Sequence, residues 1–567
     1  MRTVLAILVC SYLTAGTALA QQALAQVSAK EPNDIFYNGK IITVDSAFHI
    51  QEAFAVQGDR FFAIGNSADL KALAGPKTRL IDLRGHAVIP GLMDNHSHLY
   101  NAALGEYRGL NLVGVPSLAE MLNRLRRAVA DAKAGEVVVT TAGWNENSFP
   151  EKRAPTRQDL DEVSSDYSIV VVRGRGGVYL NTAALKAAGI TRDVNLIAGV
   201  PVLKDASGEP TGVFNNPPSA NGVLAKLVPL PPVSELAEML RKVQERMHSW
   251  GFTSLREVEL PPEAMRAYQS LWREGKLTMR INMGLGVNSA AADEMERILS
   301  PWGVSTGFGN HWLRLDSVGE FGIDLGATAY LREPYANRPG KGAMRITPEQ
   351  LRQAMITINR YGWRPALHIS GDAALDAVLD AFEAANAASS IRDKRWVVEH
   401  IPLVHPEQME RMARLGVVVS AQIQPYGGIE GMIRDYGKER TDRVVPMREL
   451  LDHHLIVSTG SDWAGDGQDN PFEKIYFYVT RKARNGTLAG PSQKISREEA
   501  LRVSTVNNAY MTFEEDAKGS IEQGKLADFL ILSDDILTVP EQQILSVRPL
   551  ATYVGGHKVF SSKDGGF

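Results

Sequence analysis

His96 and His98 stand one residue apart at the end of the run Val88-Ile89-Pro90-Gly91-Leu92-Met93-Asp94-Asn95-His96-Ser97-His98. The apolar lead-in reads as a strand, and on a strand residues i and i+2 face the same side. Two neutral imidazoles at that spacing can grip one divalent ion. Four more polar residues close other apolar runs: Glu320, His368, His400 and Asp462. Each alone has a structural reading. A buried histidine needs only one hydrogen-bond partner, Asp462 could cap a helix, and Glu320 could serve a salt bridge. Repetition at successive strand ends is what points to one site. Its nitrogen and oxygen donors suit one or two divalent ions with room left for water.

The elements that would hold these residues are legible as apolar segments. After the run ending at His98 come Phe252 to Glu257, Met279 to Leu285, Trp312 to Phe321, Pro365 to Ile369, Trp396 to Ile401, Val417 to Ile423, and Leu455 to Ser461. Amphipathic helices such as Ala374 to Ala385 and Pro406 to Leu415 lie between them. Eight strands alternating with helices predict an α/β chain with a (β/α)₈ TIM-type barrel, whose functional residues sit at the C-terminal strand ends. Both ends of the chain are β-rich. Ile35 to Val44 reads as a hairpin about Asn38-Gly39, and Ala53 to Gly65 as one about Gly58-Asp59. Ala527 to Leu532 and Ala551 to Phe560 match them. The expected organisation is a composite β-sandwich from residues 21–90 plus 515–567, and a barrel from 91–514. An insertion of about 101–249 either covers the barrel mouth or is a structural excursion.

The chain has 567 residues, with 61 basic and 65 acidic side chains, so no strong field for nucleic acid or an anionic membrane is expected. Residues 1–20 read as a signal peptide: Arg2, an apolar run from Val4 to Leu13, and Ala18-Leu19-Ala20 before Gln21. The expectation is export to the periplasm or the medium, without stable membrane insertion once the signal is removed. Cys10, the only cysteine, lies in that segment. The mature chain would therefore hold no disulfide, cysteine nucleophile or cysteine ligand, and a metal site must use His, Asp, Glu or a modified Lys. His49, His86, His248, His311, His405, His453, His454 and His557 read as surface or structural.

With these motifs the chain resembles the amidohydrolase superfamily, in the subgroup called amidohydrolase family 3 or YtcJ-like. Besides the His96 run, the carriers are Gly143-Trp144-Asn145, Ala154-Pro155-Thr156, Asp159-Leu160-Asp161, Leu367-His368-Ile369-Ser370-Gly371-Asp372 and Val398-Glu399-His400. Ser420-Ala421-Gln422, Gly460-Ser461-Asp462-Trp463 and the run Gly519 to Asp528 complete the set. The resemblance implies that His96, His98, His368 and His400 are metal ligands and that Asp462 is a metal-associated general acid/base. Many relatives carry a bridging carboxylated lysine on strand four. Aligning Asp324 with their downstream aspartate puts Glu320 there, whereas another offset puts Ser317 there and leaves a mononuclear site. A second departure is Gly177, where many relatives have histidine. The Gly-rich run Arg173 to Gly177 is no phosphate loop, since no Lys-Ser/Thr follows it.

The implied activity is that of an exported metal-dependent hydrolase of a non-peptide C–N bond, amide or cyclic amide. His400 would be an oxyanion donor if not fully committed to metal. The implied cofactor is two zinc ions, with manganese, cobalt or iron compatible. An ester, lactone or carbamate hydrolase, a deaminase, and a non-catalytic metal-binding barrel are the alternatives. The partner is a small-molecule substrate, and a homo-oligomer stays open. Trp144, Phe149, Trp363, Tyr426 and Trp463 suggest an apolar or aromatic substrate group, or else core packing.

Overall fold

The computed structural model describes residues 31–567 apart from 174–176, 198–199, 216, 288–290, 325 and 464–469. The expected signal segment, Cys10 and the centre of the Gly-rich run lie outside the described residues. The eight apolar runs form strands β1 (Leu92–Ser97), β2 (Phe252–Leu260), β3 (Arg280–Leu285), β4 (Leu313–Gly322), β5 (Arg364–Ile369), β6 (Val397–His400), β7 (Val418–Ala421) and β8 (Val457–Thr459). They pair in sequence order, all parallel. Residues just past β8 bring the ring together with β1. The Asp462 amide donates to the His96 carbonyl at 2.8 Å, and the His98 amide to the Trp463 carbonyl at 2.8 Å. Helices such as Pro348–Arg360, Asp372–Ala388 and Pro406–Leu415 pack outside. Two of the three open with proline in the first turn, where its missing N–H is no loss.

The chain ends build two further sheets. One has four strands, in the order Arg60–Gly65, Ala53–Gln57, Asp34–Tyr37, Arg79–Asp82. The other has six: His557–Ser561, Pro549–Val554, Phe529–Leu532, Ala87–Pro90, Lys40–Ile42 and Ile50–Gln51. Phe36, Phe54 and Phe61 of the first sheet meet Phe529 and Tyr553 of the second in one core. The hairpins about Gly58-Asp59 and Gly555-Gly556 are present. The hairpin expected at Asn38-Gly39 is not. Asp34–Tyr37 and Lys40–Ile42 enter different sheets, pairing in parallel with Arg79–Asp82 and Ala87–Pro90. Non-local partners win over the local turn signal because Phe36 and Ile41 then reach the same core from opposite sheets.

Helices Leu99–Arg108 and Val233–Ser249 pack into the barrel core through Leu99, Ala103, Leu236 and Leu240. Between them the chain makes its own small sheet of Val138–Val139, Ile169–Arg173, Gly177–Leu180 and Val213–Phe214. The five aromatics read as either substrate contacts or core packing are all buried. Trp144 stacks on Phe149 at 5.8 Å, Trp363 meets Trp302 edge-on at 5.6 Å, and Trp463 meets Trp250 at 5.2 Å. Tyr426 joins the barrel core. Large aromatic faces gain more from core contact than from solvent at the mouth.

His248 shows what burial does to a titratable group in this fold. Its ring spans the Phe252 carbonyl and Thr278 Oγ1, both at 3.0 Å, and burial lowers its pKa to about 4. The folded value lies below the unfolded one, near 6.5. The contribution is therefore complete above pH 6.5 and is lost as pH falls toward 4. Wild type should lose roughly 3 kcal/mol more stability than His248→Gln between pH 7.5 and 4, read from urea unfolding at each pH.

Candidate metal centre

Backbone irregularities at the C-terminal strand ends aim the polar side chains at one point. On β4 the register against β5 slips by one residue between Val318 and Phe321. Gly319 sits in that bulge at φ +103°, where an added Cβ would lie 2.6 Å from the Ala366 carbonyl. A bulge of this kind re-aims a side chain beside a site, here Glu320. Gly460, at the end of β8, faces a similar limit, because a Cβ there would lie 2.7 Å from the His96 amide. Past that close approach, buried Asp94 accepts from the Ser461 amide at 2.9 Å, Ser461 Oγ at 2.5 Å and the His96 amide at 3.2 Å. Asp94 thus fastens the residue before Asp462 to the residue that begins the histidine pair.

All six residues expected from the sequence meet at this mouth. Glu320 Oε2 lies 3.5 Å from His96 Nε2 and 3.8 Å from His98 Nε2. Its other oxygen, Oε1, lies 3.1 Å from His368 Nδ1 and 2.8 Å from His400 Nε2. Asp462 Oδ1 lies 3.5 Å from His96 Nε2 and 3.3 Å from His98 Nε2. Ligand atoms of His96, Glu320 and His400 lie within 4.8 Å of one another, as do those of His96, His98 and Asp462. His368 enters through Glu320 and touches Ser370 Oγ with its other nitrogen at 3.1 Å. Ser317, the alternative to Glu320, instead accepts a hydrogen bond from Arg256. His405, read as structural, precedes helix Pro406–Leu415 and pairs with Asp372.

Three residues were not singled out from the sequence. Glu399 Oε2 lies 2.8 Å from His96 Nδ1, and its Oε1 accepts from Arg256 at 2.7 Å. Gln424 Nε2 donates to Asp462 Oδ2 at 3.0 Å and lies 3.1 Å from His400 Nδ1. Both nitrogens of His400 therefore face protein groups, Gln424 at Nδ1 and Glu320 at Nε2. Glu259, at the bulged end of β2, has its carboxylate within 4.8 Å of the ligand atoms of His98 and Glu320. Its place near the end of a barrel strand was the available signal.

The donor set fits a divalent cation. His96 Nε2 is buried and has no hydrogen-bond partner among the described residues, while its Nδ1 is committed to Glu399. Four imidazoles and two carboxylates, with no thiol, match borderline divalent ions. The electrostatics point the same way. Burial pushes Glu320 up, but the charge of His96 and hydrogen bonds from His368 and His400 outweigh it and hold the carboxyl well below its usual range. Burial opposes a charge on His96, yet Glu320 and Glu399 raise its pKa well above 6.5. Positive charge is favoured at this point. Carboxylate–histidine pairs of the Glu399–His96 kind fix tautomer and ring orientation in metal sites.

Residues 79–560 match the sequence profile described as "Amidohydrolase family". Protein LONG AFTER FAR-RED 3 of Arabidopsis thaliana is 28% identical over 541 residues, covering 92% of this chain and 91% of that protein. N-substituted formamide deformylase of Arthrobacter pascens is 25% identical over 542 residues, covering 92% of this chain and 96% of that protein. Among solved structures, an uncharacterized metal-dependent hydrolase from Pyrococcus furiosus is similar with a TM-score of 0.70 at 25% identity. The match covers 89% of this chain and all of that one.

Glu399→Gln tests the support beneath His96. The neutral amide cannot accept from both His96 and Arg256 as the carboxylate does. Zinc affinity, measured by competition with a chromophoric chelator, should fall about 10- to 100-fold. Unchanged affinity would mean that Glu399 serves only Arg256.

Proposed function

The chain belongs to the amidohydrolase family, and on that premise we propose that it hydrolyses a non-peptide carbon–nitrogen bond, an amide or cyclic amide of a small molecule. The site would be a metal centre of His96, His98, Glu320, His368, His400 and Asp462. The observation that carries this reading is the split of the Glu320 carboxylate: one oxygen faces His96 and His98, the other His368 and His400. The Arthrobacter pascens relative, an N-substituted formamide deformylase, supports an amide. The metal-dependent hydrolase from Pyrococcus furiosus supports a cation.

His96, His98 and Asp462 would hold one divalent ion and His368 and His400 a second, with Glu320 between them. Zinc suits this imidazole-rich set, and manganese, cobalt or iron suit it as well. When bound, such ions supply Lewis acidity that makes water a nucleophile near neutral pH. The protein's own groups handle position and protons. Gln424 occupies Asp462 Oδ2, so Oδ1 is the oxygen turned to the histidine pair. Asp462 takes a proton from the water that attacks the carbonyl carbon. As the C–N bond breaks, it returns that proton to the leaving nitrogen as general acid. Export is part of the proposal, with mature protein beginning at about Gln21 in the periplasm or medium.

Asp462→Asn keeps the side chain's size but removes its ability to take a proton. Turnover of chromogenic amides should drop at least ~10²-fold, while elemental analysis still finds metal. A chelated, metal-free wild type that hydrolyses amides at full rate would sink the mechanism. After reloading, elemental analysis should find about two cations per chain if Glu320 bridges. Mass spectrometry of the native N-terminus checks export, and an intact Met1 end in cytosolic protein would refute it.

A further inference from the structure

Gln424 is the first residue of helix Gln424–Tyr436, three positions past the end of β7. Pro425 follows it in the first turn, and the Tyr426 amide closes back on the Ile423 carbonyl at 2.8 Å. The side chain therefore starts from a stiff base at the C-terminal end of a barrel strand. Its single amide nitrogen stands between two residues on different strand ends, 3.0 Å from Asp462 Oδ2 and 3.1 Å from His400 Nδ1. Those two atoms are themselves 4.0 Å apart. Both residues have left-handed backbones, with φ +66° at His400 and +58° at Asp462. Neither has the conformational freedom of glycine there, so each needs its surroundings to hold it.

The geometry points to Gln424 as a further positioning residue, which sets the Asp462 carboxylate. By donating to Oδ2 it leaves Oδ1 facing His96 and His98. This assignment rests on reading the cluster as a metal centre.

Gln424→Met keeps the length and the helix start but removes the donor. With purified full-length protein, stripped and reloaded, zinc affinity by chelator competition should fall about tenfold or more. The visible spectrum of the cobalt-loaded chain should shift, while the thermal midpoint of the metal-free chain stays within roughly 3 °C. Because Gln424 acts in part through Asp462, the affinity losses of Gln424→Met and Asp462→Ala should be clearly less than additive in the double variant. A wild-type cobalt spectrum with unchanged zinc affinity, or fully additive losses, would overturn the assignment. So would a thermal midpoint lowered well beyond that range, since it would make Gln424 a fold residue. A wild-type chain that takes up no cation would overturn the metal reading and this assignment with it. Metal uptake with an unaltered variant would overturn this assignment alone.

Discussion

The Arg256 guanidinium lies buried inside the barrel and donates to Glu399 Oε1, Asp316 Oδ2, Ser317 Oγ and the Asn95 carbonyl. Arg364 reaches the other oxygen of Asp316 and the Met511 carbonyl. Two cations and two carboxylates thus form a neutral, desolvated chain from the barrel interior up to Nδ1 of His96. Burying such a chain need not add net stability, but removing one member leaves an uncompensated charge, at about 3–5 kcal/mol. Its value here is geometric. Each group has one place where all its partners are satisfied, and His96 inherits that definition through Glu399.

The site above this chain is held against backbone preference. His400, Ile401, Asp462 and Glu259 all have positive φ. Each such residue costs about 1–3 kcal/mol and persists only where neighbours over-determine it. The neighbours are identifiable: Asp94 on Ser461 and the His96 amide, the paired amides and carbonyls of His96, His98, Asp462 and Trp463, and the bulges of β2 and β4. The same devices that bring the barrel's last strand to its first also bring Asp462 to the histidine pair.

The opposite end of the barrel is tied to the flanking sheets. Arg280, at the start of β3, makes a bidentate pair with Asp528, just before strand Phe529–Leu532. Lys518 pairs with Glu514 and donates to Ser254 on β2. The chain's C-terminal stretch therefore secures the strand starts, while the strand ends stay available for chemistry.

Much of this was determined by residue type and spacing alone. Eight apolar runs with helices between them specify a parallel barrel, and a polar residue repeated at their C-terminal ends specifies a mouth. His96, His98, His368, His400, Asp462 and Glu320 were legible for that reason. Side-chain direction across different strands was not. Glu399 is adjacent in sequence to a site histidine yet serves His96 from the far side of the chain, and Gln424 looks like any helix-start residue. The Asn38-Gly39 turn signal was overruled by non-local strands, and the five aromatics open to two readings from the sequence are buried in packing. Periodicity reports which residues share an element's face. Which faces meet, which oxygen of Glu320 sees which histidine, and where a bulge turns a carboxylate inward depend on contacts between residues tens to hundreds of positions apart, and only the folded chain brings those together.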